Sequence, residues 1–180
     1  MWRRSDVAGA AGVTVIITEP AIFATRVAAD WVDYNGHMND AAYARVFSLS
    51  CDALMDRIGL DAAARKASGQ TLYTLQMMLH YFKETKEGAP LEVTCRVLEH
   101  DEKRLRIWLE MREAEIAEPI AASEQLLLSV SQTEGVRAAP WRAETKAALE
   151  AMQRAQSDRA WPLQAGQGIQ LKKRREFAAP

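Results

Sequence analysis

The spacing of apolar residues changes twice along this chain, and those changes divide it into elements. After Pro20 a short apolar run over 22–27 predicts a strand that runs out at Ala29-Asp30, ahead of a Gly- and Asn-containing loop at 33–39. From 40 to 58 the period lengthens: Tyr43, Phe47, Cys51, Leu54 and Ile58 recur at three- and four-residue spacing, widened by Val46 and Met55. This is the stripe of an amphipathic helix with one wet side carrying Arg45, Ser48, Asp52 and Asp56. Asn39 or Asp40 can cap its start and Gly59 can end it. A polar connection then leads to Gly69, and residues 71–82 are apolar on both faces with no glycine or proline, which predicts a central strand buried on two sides.

Beyond it the period falls to two. Val93, Cys95 and Val97 alternate with Glu92, Thr94 and Arg96, and Leu105, Ile107, Leu109 and Met111 alternate with Arg104, Arg106, Glu110 and Arg112. Each segment predicts a half-wet antiparallel strand, joined by a hairpin turn at His100-Asp101-Glu102-Lys103. Residues 122–130 predict another strand, with Leu126, Leu128 and Val130 on one side. Glu124 shares that side, so it must be paired or sit at a rim. A modest helix over 143–154 and a basic tail, Lys172-Lys173-Arg174-Arg175, close the chain. A strand, a long helix and four strands in succession describe an α+β domain with its helices on one face of an antiparallel sheet. The expected organisation is a loose extension over 1–20, one domain over 21–140, and a C-terminal helix and tail over 141–180.

Composition narrows the function. At 180 residues the chain can bury one good core, and a net charge of −1 with a pI near 6.3 gives no field for nucleic acid. Cys51 and Cys95 lie in apolar patterns without a CxxC pairing, and no His/Cys/Asp cluster has ligand spacing, so neither a disulfide nor a metal is expected. His80 and His100 read as ordinary strand and turn residues. The opening Met1-Trp2-Arg3-Arg4 looks like the start of an export signal, but Asp6 and several glycines interrupt the apolar run that follows, and no stretch is long enough for a membrane span. A soluble cytoplasmic protein is expected, with no cofactor.

The chemistry candidates cluster at Trp31-Val32-Asp33-Tyr34-Asn35-Gly36-His37-Met38-Asn39, with Tyr43 following on the helix. This segment resembles the active-site signature of the 4-hydroxybenzoyl-CoA thioesterase-like hotdog family. Tyr73-Thr74, Tyr81 with Glu84 and Gly88, and Asp101 with Lys103-Arg104 extend the resemblance toward the branch of betainyl-CoA thioesterases of carnitine breakdown. The likeness covers residues 22 to 140. It implies a hotdog fold, a curved antiparallel sheet of five to six strands wrapped around one long central helix, and hydrolysis of an acyl-CoA. It also implies that Asp33, three residues before Gly36, is the catalytic carboxylate, attacking directly or activating a water.

The chemistry is compatible with so few parts. A thioester carbonyl needs a nucleophile or base and donors for its developing oxyanion, while the thiolate leaves with little help because its pKa is about 8.5. Gly36 permits a sharp turn beside substrate, and the backbone N–H groups of Asn39 and Asp40 at the helix start are the expected oxyanion donors. His37 and Asn39 can hold the loop or touch the thioester. Trp31, Tyr34, Tyr43, Thr74, Gln76, Tyr81 and Glu84 are the candidate substrate-binding residues. Trp31, Tyr34, Tyr73, Tyr81 and Trp108 could face a trimethylammonium group by cation–π attraction. Family members often carry an acidic residue and a histidine where this chain has Gln76 and Met78, and an uncharged pocket there weakens the case for a cationic acyl group. Lys103, Arg104 and Arg106 form a cationic patch that could take the CoA phosphates, with Lys83 and Lys86 as the alternative. A homodimer or a dimer of dimers is expected, because one helix can cover only one face of the 71–82 strand. Two other readings stay open: a hotdog dehydratase or hydratase, and a non-catalytic acyl-CoA-binding protein.

Overall fold

The computed structural model describes residues 20–169; the expected N-terminal extension and the basic tail at 172–175 lie outside the described residues. Strand β1, Phe23–Arg26, is followed by a 3-10 turn at Ala29–Trp31 and by helix α1, Asp40–Arg57. The Asn39 carboxamide accepts from the Ala41 N–H at 2.8 Å, so the cap falls on Asn39, and Gly59 takes the left-handed conformation just past the helix (φ +79°).

The stretch read as a polar connection contains a short helix instead. Helix α2, Ala62–Ser68, starts where Asp61 accepts from the Ala64 N–H at 2.8 Å and ends at left-handed Gly69 (φ +64°). Its alanine-rich turns carry no apolar stripe, which is why the pattern missed it. Strands β2 (Gln70–Tyr81), β3 (Pro90–His100), β4 (Arg104–Glu113) and β5 (Ala121–Ser131) follow, then a two-residue strand β6 (Arg137–Ala138) and helix α3 (Ala143–Ala155).

All strand pairs are antiparallel, in the order β1-β3-β4-β5-β2, with β6 continuing beside β5. Val46, Phe47, Leu54 and Ile58 of the α1 region are completely buried in one cluster with Val93, Leu105, Ile107, Leu109 and Met111. Truncating a side chain such as Phe47 to Ala there would cost about 3–5 kcal/mol. Trp141 and Leu149 join the same cluster, so α3 packs on this core.

Residues opposite one another on neighbouring strands share a face, and the register therefore sorts the side chains. Tyr81, Ala121, Met111 and Val93 form one cross-strand row on the α1 side, and Leu79, Ser123, Leu109 and Cys95 another. Gln76, Leu126, Arg106 and Glu99 form a row on the opposite, outer face, as do Met78, Glu124, Trp108 and Arg96.

The position of β2 corrects the sequence reading. Among the described residues it is an edge strand, paired only with β5, and Tyr73, Leu75 and Met77 are 40%, 50% and 38% exposed. An apolar run looks the same in sequence whether the chain's own elements or something outside it provides the cover.

Candidate active site

The segment between the 3-10 turn and α1 folds back on itself as a tight hairpin. Val32 and Met38 bridge, the Asp33 N–H donates to the His37 carbonyl at 2.8 Å, and the Gly36 N–H donates to the Asp33 carbonyl at 3.0 Å. Gly36 takes φ +75° to close the turn, a conformation costly for a side chain with a Cβ. Asp33 Oδ1 accepts from the Asn35 N–H at 2.8 Å and from the His37 N–H at 3.3 Å, while Oδ2 carries no hydrogen bond among the described residues. The carboxylate is thus oriented by one oxygen and exposed through the other.

Residues 83–86, between β2 and β3, brace this loop. The Thr85 carbonyl accepts from the Met38 N–H at 2.8 Å, and Lys86 bridges His37. His37 Nδ1 lies 3.6 Å from Glu84 Oε2, an ion pair only when the imidazole is protonated. Thr85, 2% exposed, donates its hydroxyl to Glu113 at 2.6 Å. The sequence pattern singled out Glu84 but not Thr85 or Glu113, whose pairing depends on strand register.

Beside the loop, Met38, Asp40, Tyr43, Tyr81, Phe82, Lys83 and Glu84 line a cavity of about 320 Å³. The Tyr43 hydroxyl donates to the Lys83 carbonyl at 3.3 Å, and the Tyr81 hydroxyl donates to the Asp40 carbonyl at 3.3 Å. Burial pushes the Tyr43 phenol above its ordinary value, and burial and then the Asp40 charge do the same for Tyr81. Both rings are therefore neutral at physiological pH.

Several expected site residues fall elsewhere. The Asn39 N–H donates to the Trp31 carbonyl at 2.8 Å, so of the two expected oxyanion donors only the Asp40 N–H remains at the helix start. The Asn39 side chain is the helix cap. Gln76 and Met78 lie on the outer face, where Gln76 lines a separate cavity with Glu99, Arg106 and Glu124. Their departure from the family pattern thus falls away from the Asp33 loop within the chain. Thr74 is exposed on β2, beyond a bulge between Thr74 and Gln76.

The cationic patch is also displaced. Arg104 is bound to Asp101 through Nε at 2.6 Å, and Arg106 is held by Glu99 at 2.8 Å and by Glu124 at 2.5 Å through Nε. Glu124 is paired, one of the two situations its sequence position allowed. Arg104 and Glu113 end the same ten-residue strand, so Arg104 stands about 30 Å and Arg106 about 23 Å along β4 from the Glu113 end that braces the loop, at roughly 3.3 Å per residue. Among the described residues no group of His, Cys, Asp and Glu is placed to hold a metal, and no helix is long and apolar enough to cross a membrane.

A single antiparallel sheet packed on one long helix, with a carboxylate-bearing loop at the start of that helix, is the hotdog architecture of thioester hydrolases. The family model of the thioesterase-like superfamily matches residues 27–149. The betainyl-CoA thioesterase of Pseudomonas aeruginosa is 46% identical over 146 residues, covering 81% of this chain and 90% of that protein. A crystal structure from Pseudomonas putida, given as that of a thioesterase, superposes with a TM-score of 0.74 at 38% identity over 87% of this chain and all of the other. A Staphylococcus aureus protein solved in complex with CoA shares the fold, with a TM-score of 0.77 at 24% identity over 83% of this chain and 94% of its own. The chain belongs to the thioesterase-like superfamily, and it is a thioester hydrolase.

Proposed function

We propose that the chain hydrolyses the CoA thioester of a small or medium polar acid, betainyl-CoA foremost, to the free acid and CoA, with Asp33 as its central carboxylate. The observation that carries this reading is the asymmetry of Asp33: Oδ1 is tied to two backbone N–H groups of its own loop, and Oδ2 is left without a hydrogen bond among the described residues, on an exposed loop that leads into α1. Backbone bonds to one oxygen fix the carboxylate's direction at no cost when substrate arrives. The 46% identity to a betainyl-CoA thioesterase supports the choice of substrate.

In the reaction, Oδ2 either adds to the thioester carbon, giving a mixed anhydride that water then cleaves, or takes a proton from the water that adds. The carbonyl oxygen gains negative charge in either case, and the Asp40 N–H with the α1 dipole is the group to receive it. Collapse of the tetrahedral adduct expels the CoA thiolate, whose pKa of about 8.5 lets it leave without a dedicated acid.

The test is release of free thiol from a panel of acyl-CoAs by wild type, Asp33→Asn and Asp33→Ala. Asparagine keeps the Oδ1 acceptor for Asn35 and His37 and removes only the charge. Asp33→Asn is expected to melt as wild type does and to lose roughly 10²–10⁴ in kcat. Asp33→Ala adds a loosened loop to the same loss. Turnover near wild type in Asp33→Asn would remove Asp33 from the chemistry. Binding of acyl-CoA without any turnover by wild type would favour the non-catalytic reading.

A further inference from the structure

An acyl group carrying a trimethylammonium head offers a recognition problem that hydrogen bonds cannot solve, because the head has no N–H to donate. It can be bound only by desolvated aromatic faces and by nearby negative charge. The aromatic side chains that could serve are mostly committed. The Trp31 face is already covered by the Arg45 guanidinium, 5.3 Å from the ring centre. Tyr34 is 97% exposed at the tip of the loop. Tyr73 sits toward the other end of β2, where its hydroxyl accepts from Gln132 at 3.1 Å, and Trp108 is buried on the outer face against His80.

Tyr43 and Tyr81 remain. Their rings meet edge to face, centroids 5.4 Å apart and planes at 88°, so that the buried Tyr43 backs the half-exposed Tyr81 ring and fixes the face it offers. Each hydroxyl is anchored to a backbone carbonyl, which holds the ring while leaving it neutral. Phe82 flanks the pair in the same 320 Å³ cavity, and the charged groups lining it are Asp40 and Glu84 against Lys83, a net charge of −1 from two carboxylates and one ammonium. Met38 of the Asp33 loop lines the cavity, and Glu84, in the same lining, lies 3.6 Å from His37 of that loop. In a betainyl thioester a single methylene separates the ammonium from the carbonyl carbon, so a pocket for the head has to adjoin the catalytic carboxylate.

We infer that Tyr81 and Glu84 are the specificity-determining residues of this hydrolase, with Tyr43 positioning the Tyr81 ring, and that they select an acyl head that is bulky, methylated and positively charged. The inference rests on the acyl-CoA hydrolase reading above and assigns its selectivity to one corner of the site. Gln76 and Met78, on the outer face, take no part in it within the chain.

Betainyl-CoA and 3,3-dimethylbutanoyl-CoA differ only in replacing the quaternary nitrogen by carbon, so the ratio of their kcat/KM values isolates the charge. Wild type should prefer the cation, and Tyr81→Leu should lower the ratio by about two- to thirty-fold, the range of a cation–π contact. Glu84→Gln should lower it too, more at low salt than at high. Tyr81→Phe, which keeps the ring, should retain most of the preference. Since Tyr81 is half exposed, these variants are expected to fold.

Equal cleavage of both thioesters by wild type, or an unchanged ratio in Tyr81→Leu and Glu84→Gln, would overturn the inference and leave the hydrolase reading standing. If wild type cleaves neither, the betainyl-CoA reading fails, and calorimetric binding of the free acids decides the pocket by itself. A preference for betaine over 3,3-dimethylbutanoate that is lost in Tyr81→Leu upholds it, and no such preference overturns it.

Discussion

Thr85 donates its hydroxyl to the Glu113 carboxylate at 2.6 Å, and through that one bond the end of β4 holds the segment that braces the Asp33 loop. The Thr85 carbonyl accepts from Met38, and its neighbours Lys83, Glu84 and Lys86 meet Tyr43 and His37. Thr85→Val preserves shape and deletes the donor. A hydrogen bond to a charged group contributes about 1.5–3 kcal/mol, so the variant should lose that order of stability in urea unfolding. It should also lose kcat through the loop, and Thr85→Ser should recover most of both. Unchanged stability would mean that the bond contributes nothing in solution.

Among the described residues strand β2 leaves one edge of the sheet open, with the apolar side chains of Tyr73, Leu75 and Met77 uncovered along it. Exposed edges of this kind template pairing with another chain. A homodimer or larger assembly is therefore expected at micromolar concentration by light scattering, with Leu75→Lys weakening it. A stable wild-type monomer would show that the edge is tolerated bare.

The anionic end of CoA needs cations within reach of the loop, and Lys83 and Lys86 lie on the bracing segment whereas Arg104 and Arg106 are already paired. The double change Lys83→Gln, Lys86→Gln should raise KM for acyl-CoA several-fold at low salt and less at high salt, with kcat little altered. Changing Lys103, Arg104 and Arg106 together to Gln is the comparison. A larger KM effect from that triple variant would locate the phosphates on the β3–β4 hairpin.

That hairpin has its own pH signature. The Lys103 N–H, then the Arg104 side chain and its N–H, hold the Asp101 carboxyl down at about 2. A carboxyl depressed in the folded state stabilises above its unfolded value and loses that contribution as pH falls through the folded one. Wild-type stability should therefore decline between about pH 4 and pH 2 more steeply than that of Asp101→Asn, read by melting temperature against pH. Because Asp101 is largely open to solvent the difference should be small, and identical slopes would assign the acid sensitivity to other carboxylates.

Local pattern carried much of this protein. The alternation of β3 and β4, the apolar stripe of α1, the turn at 33–39 and the need of Glu124 for a partner all depend on residues within a few positions of one another, or on the cost of burying a charge. They were legible in the order of residues alone. Tertiary structure decided what depends on distant neighbours. It put β2 at an edge rather than in the middle, because strand order is a choice among pairings that the strand's own residues do not record. It moved Gln76 and Met78 to the outer face and kept Tyr81 at the helix start, through the register of β2 on β5 and a bulge that no composition signals. It also bound Arg106 between Glu99 and Glu124, the first across a hairpin and the second across a strand pair. A cationic patch in sequence became a neutralised cluster in space, because charges separated by many residues along the chain can still lie within hydrogen-bonding distance across a sheet.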